Sequence, residues 1–339
     1  MHALRLNCNM FPISKTEKWE FTEAGIEVTA QEWIEPQSAL EDYDAVLVVS
    51  AKIPAEVILR FKHCRVIARY GSGTDNIDIA EATRSGILVT NVPDFCLSEM
   101  ADHTLALILA LSRKLFVMDR WTRQGQWQAR VQVPTYRIAG KTLGLVGFGR
   151  IAQAVARRAA AFDLQVLCFD PCLDPVAAER LGVHSTDFSG LLRHSDFVSV
   201  HVPLTPETRH LIGDRELGMM KPSAYIINTS RGGVIDERAL VSALAEGRIA
   251  GAGIDVYETL PMFDPNPSQV DHPLFHLDNV ILTPHSGGCS VESLDYMMSQ
   301  GARQAIAVLR GEWPSNCVNA FVTPRFPLTT PAASRAVTC

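Results

Sequence analysis

Residues 142–152 constrain the fold of this chain more than any other stretch, because a strand, a tight turn and a helix start follow one another there. An apolar run, Leu143 to Val146, ends at Gly147, and Gly149 follows just before an Ala- and Arg-rich helical stretch that begins at Arg150. Glycine permits the turn at the first position and a close approach of backbone to a ligand at the second. An ordinary turn between a strand and a helix could have the same residues.

The end of the next predicted strand favours a ligand-binding loop over an ordinary turn. A second apolar run, Leu164 to Phe169, ends at Asp170, and Ala152 takes the third position of the glycine motif. Backbone N–H groups at a helix start can hold a pyrophosphate, and a carboxylate at the end of the next strand can hold a ribose. The order therefore predicts a dinucleotide site.

Composition sets limits on the rest. A chain of 339 residues is long enough for two domains, and 47% apolar with 20% charged residues is typical of a globular protein. The net charge of −6 and the lack of a Lys/Arg cluster argue against nucleic acid as a partner. The longest apolar stretch, Thr104 to Leu111, is too short for a membrane span, so no membrane partner is expected.

The cysteines indicate a reducing compartment. They are scattered, without a Cys-x-x-Cys pair or the Cys/His spacing of a zinc site, so free thiols and no metal are expected. The N-terminus lacks a signal-peptide pattern. We therefore predict a cytoplasmic protein. The eight cysteines are Cys8, Cys64, Cys96, Cys168, Cys172, Cys289, Cys317 and Cys339.

Apolar strand-like runs alternate with amphipathic helical stretches, which predicts α/β architecture with two doubly wound parallel sheets. Two long helical stretches, about 98–117 and 291–310, lie where one strand set gives way to the other, and we interpret them as the crossings of an interdomain hinge. The predicted domains are 1–99 plus 291–325 and an inserted 100–290, with a loose tail at 326–339. The predicted strands are 3–6, 44–49, 66–70, 87–91, 142–146, 165–169, 197–201, 224–228, 251–256 and 280–282.

Arg231 and His285 follow predicted strands of the second set and Asp255 lies at the end of one, where ligands bind in open α/β sheets. Arg231 stands beside two glycines and could grip a carboxylate with its planar fork, although an exposed loop arginine is the alternative. His285, beside Gly287, could donate a proton to a carbonyl, although a single histidine is often structural. Asp255 could orient a cofactor or cap a turn.

The first strand set offers a possible anion site. Gly71 and Gly73 flank Ser72 after a strand, so their backbone N–H groups could hold a small carboxylate. Lys52 ends another strand of this set and could add charge there. A simple glycine turn and a solvated lysine are the alternatives.

Together these motifs resemble the D-isomer-specific 2-hydroxyacid dehydrogenases, a family that includes phosphoglycerate dehydrogenase and the C-terminal binding protein corepressors. The resemblance covers about 66–318. It rests on 71–78, on Ala101-Asp102-His103-Thr104-Leu105, on 147–152, 201–208 and 220–222, and on the segments 228–233 and 283–288.

The resemblance implies a Rossmann NAD-binding domain inserted into a flavodoxin-like substrate domain, and hydride transfer at C2 of a small anionic D-2-hydroxy or 2-oxo acid. Arg231 and His285 would be catalytic, and Lys52, Ser72 and Gly73 would face the substrate. Since Asp170 has no nearby arginine for a 2′-phosphate, NAD is favoured over NADP. A homodimer through the hinge helices is also implied, and the apolar stretch 105–115 fits either that contact or core burial. The implied cofactor-binding residues are Thr104, Gly147, Gly149, Arg150, Ile151, Asp170, His201, Val202, Pro203, Thr208, Thr229, Ser230, Asp255, Gly287 and Gly288.

One position departs from the family. Leu260 stands before Pro261 where the family usually carries a glutamate that bonds the catalytic histidine. The enzyme could work with a less basic His285, or another acid such as Asp264 or Glu258 could replace the missing one. Alternatively, catalysis has weakened and the chain binds NAD(H) as a sensor or as a corepressor-like interaction protein.

Overall fold

The computed structural model describes residues 1–35, 38–260 and 270–329. The chain divides into two compact units. Unit 1 comprises Met1–Phe95 and the segment from Ser290 onward, and unit 2 comprises Cys96–Cys289. The sequence predicts these divisions after residues 99 and 290.

The strands and helices follow the predicted alternation. The strands are β1 (His2–Arg5), β2 (Glu27–Ala30), β3 (Ala45–Val48), β4 (Val66–Arg69), β5 (Leu88–Thr90), β6 (Thr142–Val146), β7 (Gln165–Phe169), β8 (His184–Ser185), β9 (Phe197–Val200), β10 (Tyr225–Asn228), β11 (Gly251–Ile254) and β12 (Val280–Leu282). The α-helices are α1 (Lys15–Glu23), α2 (Ala55–Ile58), α3 (Ile79–Arg84), α4 (Leu97–Ser112), α5 (Leu115–Arg123), α6 (Ala129–Gln132), α7 (Arg150–Ala160), α8 (Pro175–Arg180), α9 (Phe188–His194), α10 (Asp214–Leu217), α11 (Glu237–Ala245) and α12 (Val291–Leu309). Short 3-10 helices span Gly232–Val234 and Pro273–His276.

Unit 1 is built on a parallel five-stranded sheet in the order β2-β1-β3-β4-β5, which is the flavodoxin-like order. Successive strand residues point to opposite faces, so Val66 and Ala68 pack with α1 and α12 while Ile67 packs with α2 and α3. Both faces of this sheet are therefore buried, as continuous apolar strands require.

Unit 2 is built on a parallel seven-stranded sheet in the order β12-β11-β10-β9-β6-β7-β8. The chain starts at β6, extends outward through β7 and β8, then returns to β9 on the other side of β6. That reversal creates the crevice in which doubly wound sheets bind ligands. The α/β class with two parallel sheets is thus confirmed.

Two expectations need correction. The helix predicted for 98–117 is two helices, since α4 ends at Ser112 and Lys114 adopts a left-handed backbone with φ 53°. The tail expected to be loose from 326 is ordered at its start: Phe326 and Leu328 pack on the unit 1 core, and Thr329 N–H donates to the Gly311 carbonyl at 2.7 Å. Residues 330–339 lie outside the described part of the chain.

Two further properties concern the described residues alone. None of their helices combines the length and apolar character that crossing a bilayer requires. Their cysteines are free thiols, and they contain no group of three or more His, Cys, Asp or Glu side chains suited to a metal ion.

Candidate functional site

The glycine loop between β6 and α7 has the geometry of a phosphate cradle. Gly147 has φ +90°, and a Cβ there would lie 2.8 Å from the His201 carbonyl oxygen, so only glycine fits. Gly149 precedes the first residue of α7, and a Cβ there would meet no atom within 4 Å. The space beside Gly149 is therefore open at the positive end of an α-helix, where a pyrophosphate binds.

Asp170 is tied to this loop. Its Oδ2 accepts the Phe148 N–H at 2.7 Å, and its Oδ1 accepts the Cys172 N–H at 2.8 Å. The carboxylate thus stands at the end of β7, beside the loop, where it can accept a ribose hydroxyl. These residues fit an NAD molecule better than NADP, because the carboxylate would repel a 2′-phosphate.

The loop after β9 forms the other side of the cradle. The His201 N–H donates to the Val146 carbonyl at 2.8 Å, and its Nε2 lies 2.9 Å from Ser199 Oγ. Burial lowers the pKa of His201 to about 4, so the ring is neutral at pH 7. Thr208 Oγ1 donates to the Pro203 carbonyl at 2.6 Å, which fixes the loop. His201 thus presents its backbone toward Gly147 while its ring points to Ser199.

The sheet brings the predicted catalytic segments to one edge. Asn228, Ile254 and Leu282 end neighbouring strands and are paired in register, so Arg231, Asp255 and His285 follow them at the same carboxyl edge.

The segment around Arg231 is closely held. The Asn228 side chain accepts the Ser230 N–H at 3.0 Å and donates to the Arg231 carbonyl at 3.0 Å. Arg231 Nη1 donates to the Ser230 carbonyl at 2.9 Å. A Cβ at Gly232 would collide with the Tyr257 carbonyl, so the backbone beside the guanidinium packs against the loop after β11. Glycine is required there for close approach.

Asp255 organises the segment that carries His285. Its Oδ1 accepts the Thr283 hydroxyl at 2.6 Å and the Ser286 N–H at 2.9 Å, and its Oδ2 accepts the Gly287 N–H at 2.9 Å. The His285 N–H donates to the Asp255 carbonyl at 2.9 Å. His285 itself adopts φ 56°, a left-handed conformation that a residue other than glycine needs surrounding contacts to hold.

Some implied cofactor residues face protein in this structure. Asp255 and Thr104 are 0% exposed, and Thr104 Oγ1 lies 3.2 Å from Thr229 Oγ1. A Cβ at Gly287 would lie 2.9 Å from Asp255 Oδ2, and one at Gly288 would lie 3.1 Å from Cys96 Sγ. The contacts of these residues shape the edge of the sheet, and their binding of cofactor stays a prediction. Arg150, by contrast, is exposed in the first turn of α7.

In unit 1, the residues expected to face substrate follow β3 and β4. Asn7 Oδ1 accepts the N–H groups of Ser50 and Ala51 at 2.9 Å each, which fixes the backbone just before the exposed Lys52. Ser72 is exposed, and its carbonyl accepts Asn91 Nδ2 at 2.6 Å. Lys52, Ser72 and Gly73 thus lie at the carboxyl edge of the unit 1 sheet.

The structure bears on which acid could take the role of the glutamate that is missing at Leu260. Glu258 accepts Arg209 Nη2 at 2.5 Å and lies 2.9 Å from His210 Nε2, so its carboxylate is already committed to two cationic or polar partners. Leu260 is partly buried and carries no charge. Asp264, the other candidate, lies outside the described residues.

Sequence reasoning missed His103. It lies on α4, and its Nε2 is 3.1 Å from Thr283 Oγ1 and 3.6 Å from Asp255 Oδ1. A helical histidine far along the chain from both partners gives no signal in sequence, because the contact exists only once α4 packs beside β11 and β12.

Comparison with known proteins gives an independent view. The model for the NAD-binding domain of the D-isomer specific 2-hydroxyacid dehydrogenases matches residues 105–287. A glyoxylate reductase of Thermococcus litoralis is 43% identical over 288 residues, which cover 83% of this chain and 85% of that protein. The structure of TT0316 from Thermus thermophilus is similar with a TM-score of 0.83, 35% identity, and coverage of 94% of this chain and 100% of that one. A D-lactate dehydrogenase of Aquifex aeolicus, in complex with NAD and lactic acid, gives a TM-score of 0.82, 26% identity, and coverage of 91% and 96%.

Proposed function

The chain belongs to the D-isomer-specific 2-hydroxyacid dehydrogenase family, and we propose that it reduces glyoxylate or a similarly small 2-oxo acid with NADH. It is an NAD-dependent 2-hydroxyacid dehydrogenase. The observation that carries the proposal is the placement of Arg231, Asp255 and His285 after three neighbouring strands. The substrate class follows from the glyoxylate reductases that the chain resembles.

Arg231 binds the substrate in this proposal. Its guanidinium presents paired N–H donors to the carboxylate and the neighbouring carbonyl oxygen, which withdraws electrons from C2. The Asn228 contacts to Ser230 and to the Arg231 carbonyl hold the backbone from which the guanidinium extends. Because Arg231 Nη1 also donates to the Ser230 carbonyl, the fork meets the substrate with little loss of side-chain freedom.

His285 moves the proton. During reduction the protonated imidazole gives its proton to the carbonyl oxygen of C2, and during oxidation the neutral imidazole takes the hydroxyl proton. Bound NAD(H) supplies or accepts the hydride at C2. One hydride and one proton convert the 2-oxo acid into the 2-hydroxy acid, so the atoms and charges balance.

The remaining groups bind and orient. Gly147, Gly149 and Arg150 hold the pyrophosphate, and Asp170 holds the adenosine ribose. The other implied cofactor residues line the same carboxyl edge of unit 2. The roles of Ser72, Gly73 and Lys52 toward the substrate stay a prediction of the family resemblance.

We also propose a homodimer, through a surface that begins at the end of the apolar stretch 105–115. Leu105, Leu107, Ile108 and Leu111 are buried in the core of unit 2, so they are not available to a partner. Large apolar side chains are exposed just beyond, on the α5–α6 surface: Leu115, Phe116, Trp127, Val131 and Tyr136. An apolar surface of this kind marks a protein contact. Light scattering should give a dimer for the wild type and a monomer for Val131→Asp, and a wild-type monomer contradicts this part.

The activity test uses purified protein, NADH and a panel of 2-oxo acids that includes glyoxylate, pyruvate and hydroxypyruvate. We expect loss of NADH absorbance with at least one small member and formation of the 2-hydroxy acid, in the D configuration where the substrate is pyruvate or hydroxypyruvate. No turnover across the panel, with NADH still bound, overturns the proposal.

That negative result would support a second candidate, an NAD(H)-binding sensor or corepressor-like protein. The observation in its favour is Leu260, which provides no carboxylate where the family usually has one, while Glu258 is engaged by Arg209 and His210. A sensor would bind NADH and NAD with different affinities. It would not oxidise NADH with any 2-oxo acid of the panel.

A further inference from the structure

We propose that His103 is a positioning residue for His285, acting through Thr283 and Asp255. The inference rests on the proposed function, in which His285 moves the proton. In this proposal the effect of His103 on the reaction passes through a chain of hydrogen bonds that ends on the segment carrying the imidazole.

Chemistry fixes the direction of that chain. The Thr283 hydroxyl has one proton, and an ionised Asp255 can only accept, so at 2.6 Å Thr283 donates to Asp255 Oδ1. The hydroxyl oxygen must then accept from its other neighbour, His103 Nε2, at 3.1 Å. His103 therefore carries a proton on Nε2 whether its ring is neutral or charged.

The chain ends on the two residues after His285. Asp255 receives the N–H groups of Ser286 and Gly287 at 2.9 Å each, and its own carbonyl accepts the His285 N–H at 2.9 Å. These bonds enclose His285, whose backbone is left-handed at φ 56°. A conformation of this kind persists only where its surroundings fix it. If the Thr283 hydroxyl turned away from Asp255, the hydrogen bonds that hold the backbone of residues 285–287 would weaken.

Packing supports the same assignment. The His103 Cδ2 lies 3.1 Å from the place where a Cβ at Gly287 would stand, so the ring and the bare glycine backbone fit each other closely. The Asp255 side chain is 1% exposed and water cannot replace a lost partner there, whereas the His103 side chain is 21% exposed. Asp102, next to His103, is paired with Arg158 at 2.5 Å and does not compete for the ring.

The test compares His103→Leu, which removes the donor, with His103→Gln, whose amide N–H can take the place of Nε2–H. In His103→Leu we expect kcat to fall about tenfold, because the geometry of proton transfer is disturbed. Hydrogen exchange at the Ser286 and Gly287 amides should become about tenfold faster. His103→Gln should restore most of both losses.

Further variants distinguish the loss of this contact from a non-specific effect of substitution and from misfolding. His184→Leu removes an exposed histidine of β8 and should change neither measurement. If His103→Leu does not fold, Thr283→Val removes the hydroxyl at similar volume and should show the same loss. Unchanged exchange and kcat in His103→Leu, or equal damage in His103→Gln, overturns the inference. Faster exchange in a protein that turns over no 2-oxo acid supports the positioning contact and overturns the proposed function alone.

Discussion

The Phe148 N–H donates to Asp170 Oδ2 at 2.7 Å, so the glycine loop after β6 and the acid after β7 hold each other in place. Asp170 thereby has two tasks, since it anchors the loop and keeps a negative charge where a ribose would lie. Coenzyme choice and loop geometry are coupled through this one carboxylate.

Asp170→Ala should weaken NADH binding by about 10- to 30-fold, because a charge-assisted hydrogen bond to the ribose is lost. The affinity for NADPH should fall less or rise, since repulsion of the 2′-phosphate disappears. Fluorescence titration with both coenzymes measures the change. Asp174→Ala is the matched control: Asp174 caps α8 through the Val176 and Ala177 N–H groups, so its loss should cost stability and spare affinity. Equal NADH affinity in Asp170→Ala and wild type would contradict the assignment.

The two glycines of the loop should respond differently to alanine. Gly147→Ala places a Cβ 2.8 Å from the His201 carbonyl oxygen at φ +90°, so we expect a loss of about 1–3 kcal/mol in the free energy of unfolding. Gly149→Ala meets no protein atom within 4 Å and should unfold like the wild type, yet bind NADH at least about tenfold more weakly because the methyl group occupies the phosphate space. Thermal unfolding and NADH titration check both variants. Full affinity in Gly149→Ala would show that the pyrophosphate lies elsewhere.

Arg231→Ala should lower kcat/KM by about 1,000-fold while NADH binds normally, because in the proposed function the guanidinium binds the substrate and not the coenzyme. Arg231→Lys keeps the charge but loses the planar fork, so its activity should lie between the two. The exposed Arg238 of α11 provides the control, and Arg238→Ala should retain full activity. Steady-state kinetics with the best substrate of the panel gives the ratios. Turnover that survives Arg231→Ala would remove this residue from the mechanism.

Sequence patterns identified most strands because their residues are apolar and buried on both faces. The strands they missed are β2 and β8, whose residues are mostly polar or exposed at the sheet edges. The break between α4 and α5 was also missed, because the left-handed Lys114 leaves no signal in a run of good helix formers.

The proposed catalytic pair could be predicted from the sequence because Arg231 and His285 follow strands closely. The contacts that support them were not. His103 meets Thr283 only through the packing of α4, and the number of donors on Asp255 depends on the path of the backbone after β12. Local sequence patterns contain no such distances. From the sequence alone, Asp255 could therefore be either a cofactor ligand or a buried residue that holds the backbone around His285.

Leu260→Glu tests the departure from the family. A carboxylate beside the imidazole would favour its protonated form, which is the form that donates a proton during reduction. The alkaline limb of the pH profile for reduction should therefore move to higher pH by about one unit, with a gain in rate at neutral pH. Leu260→Gln has similar size without charge and should leave the profile in place. An unchanged profile in Leu260→Glu would mean that the substituted side chain does not reach His285.

His201 makes stability depend on pH. Burial lowers the pKa of His201 from its ordinary 6.5 to about 4, so between these values the unfolded chain binds a proton that the folded chain refuses. The free energy of unfolding should be at its full value above about pH 6.5, fall as the pH drops toward 4, and lose on the order of 1–3 kcal/mol in that window.

Because carboxylates titrate in the same range, the informative quantity is the difference in the free energy of unfolding between the wild type and His201→Gln, measured by urea unfolding from pH 7.5 to about 4. That difference should shrink as the pH falls, since the glutamine carries no proton. His194→Gln, on the exposed end of α9, should run parallel to the wild type. A difference for His201→Gln that stays constant across the window would show that this imidazole titrates normally in the folded protein.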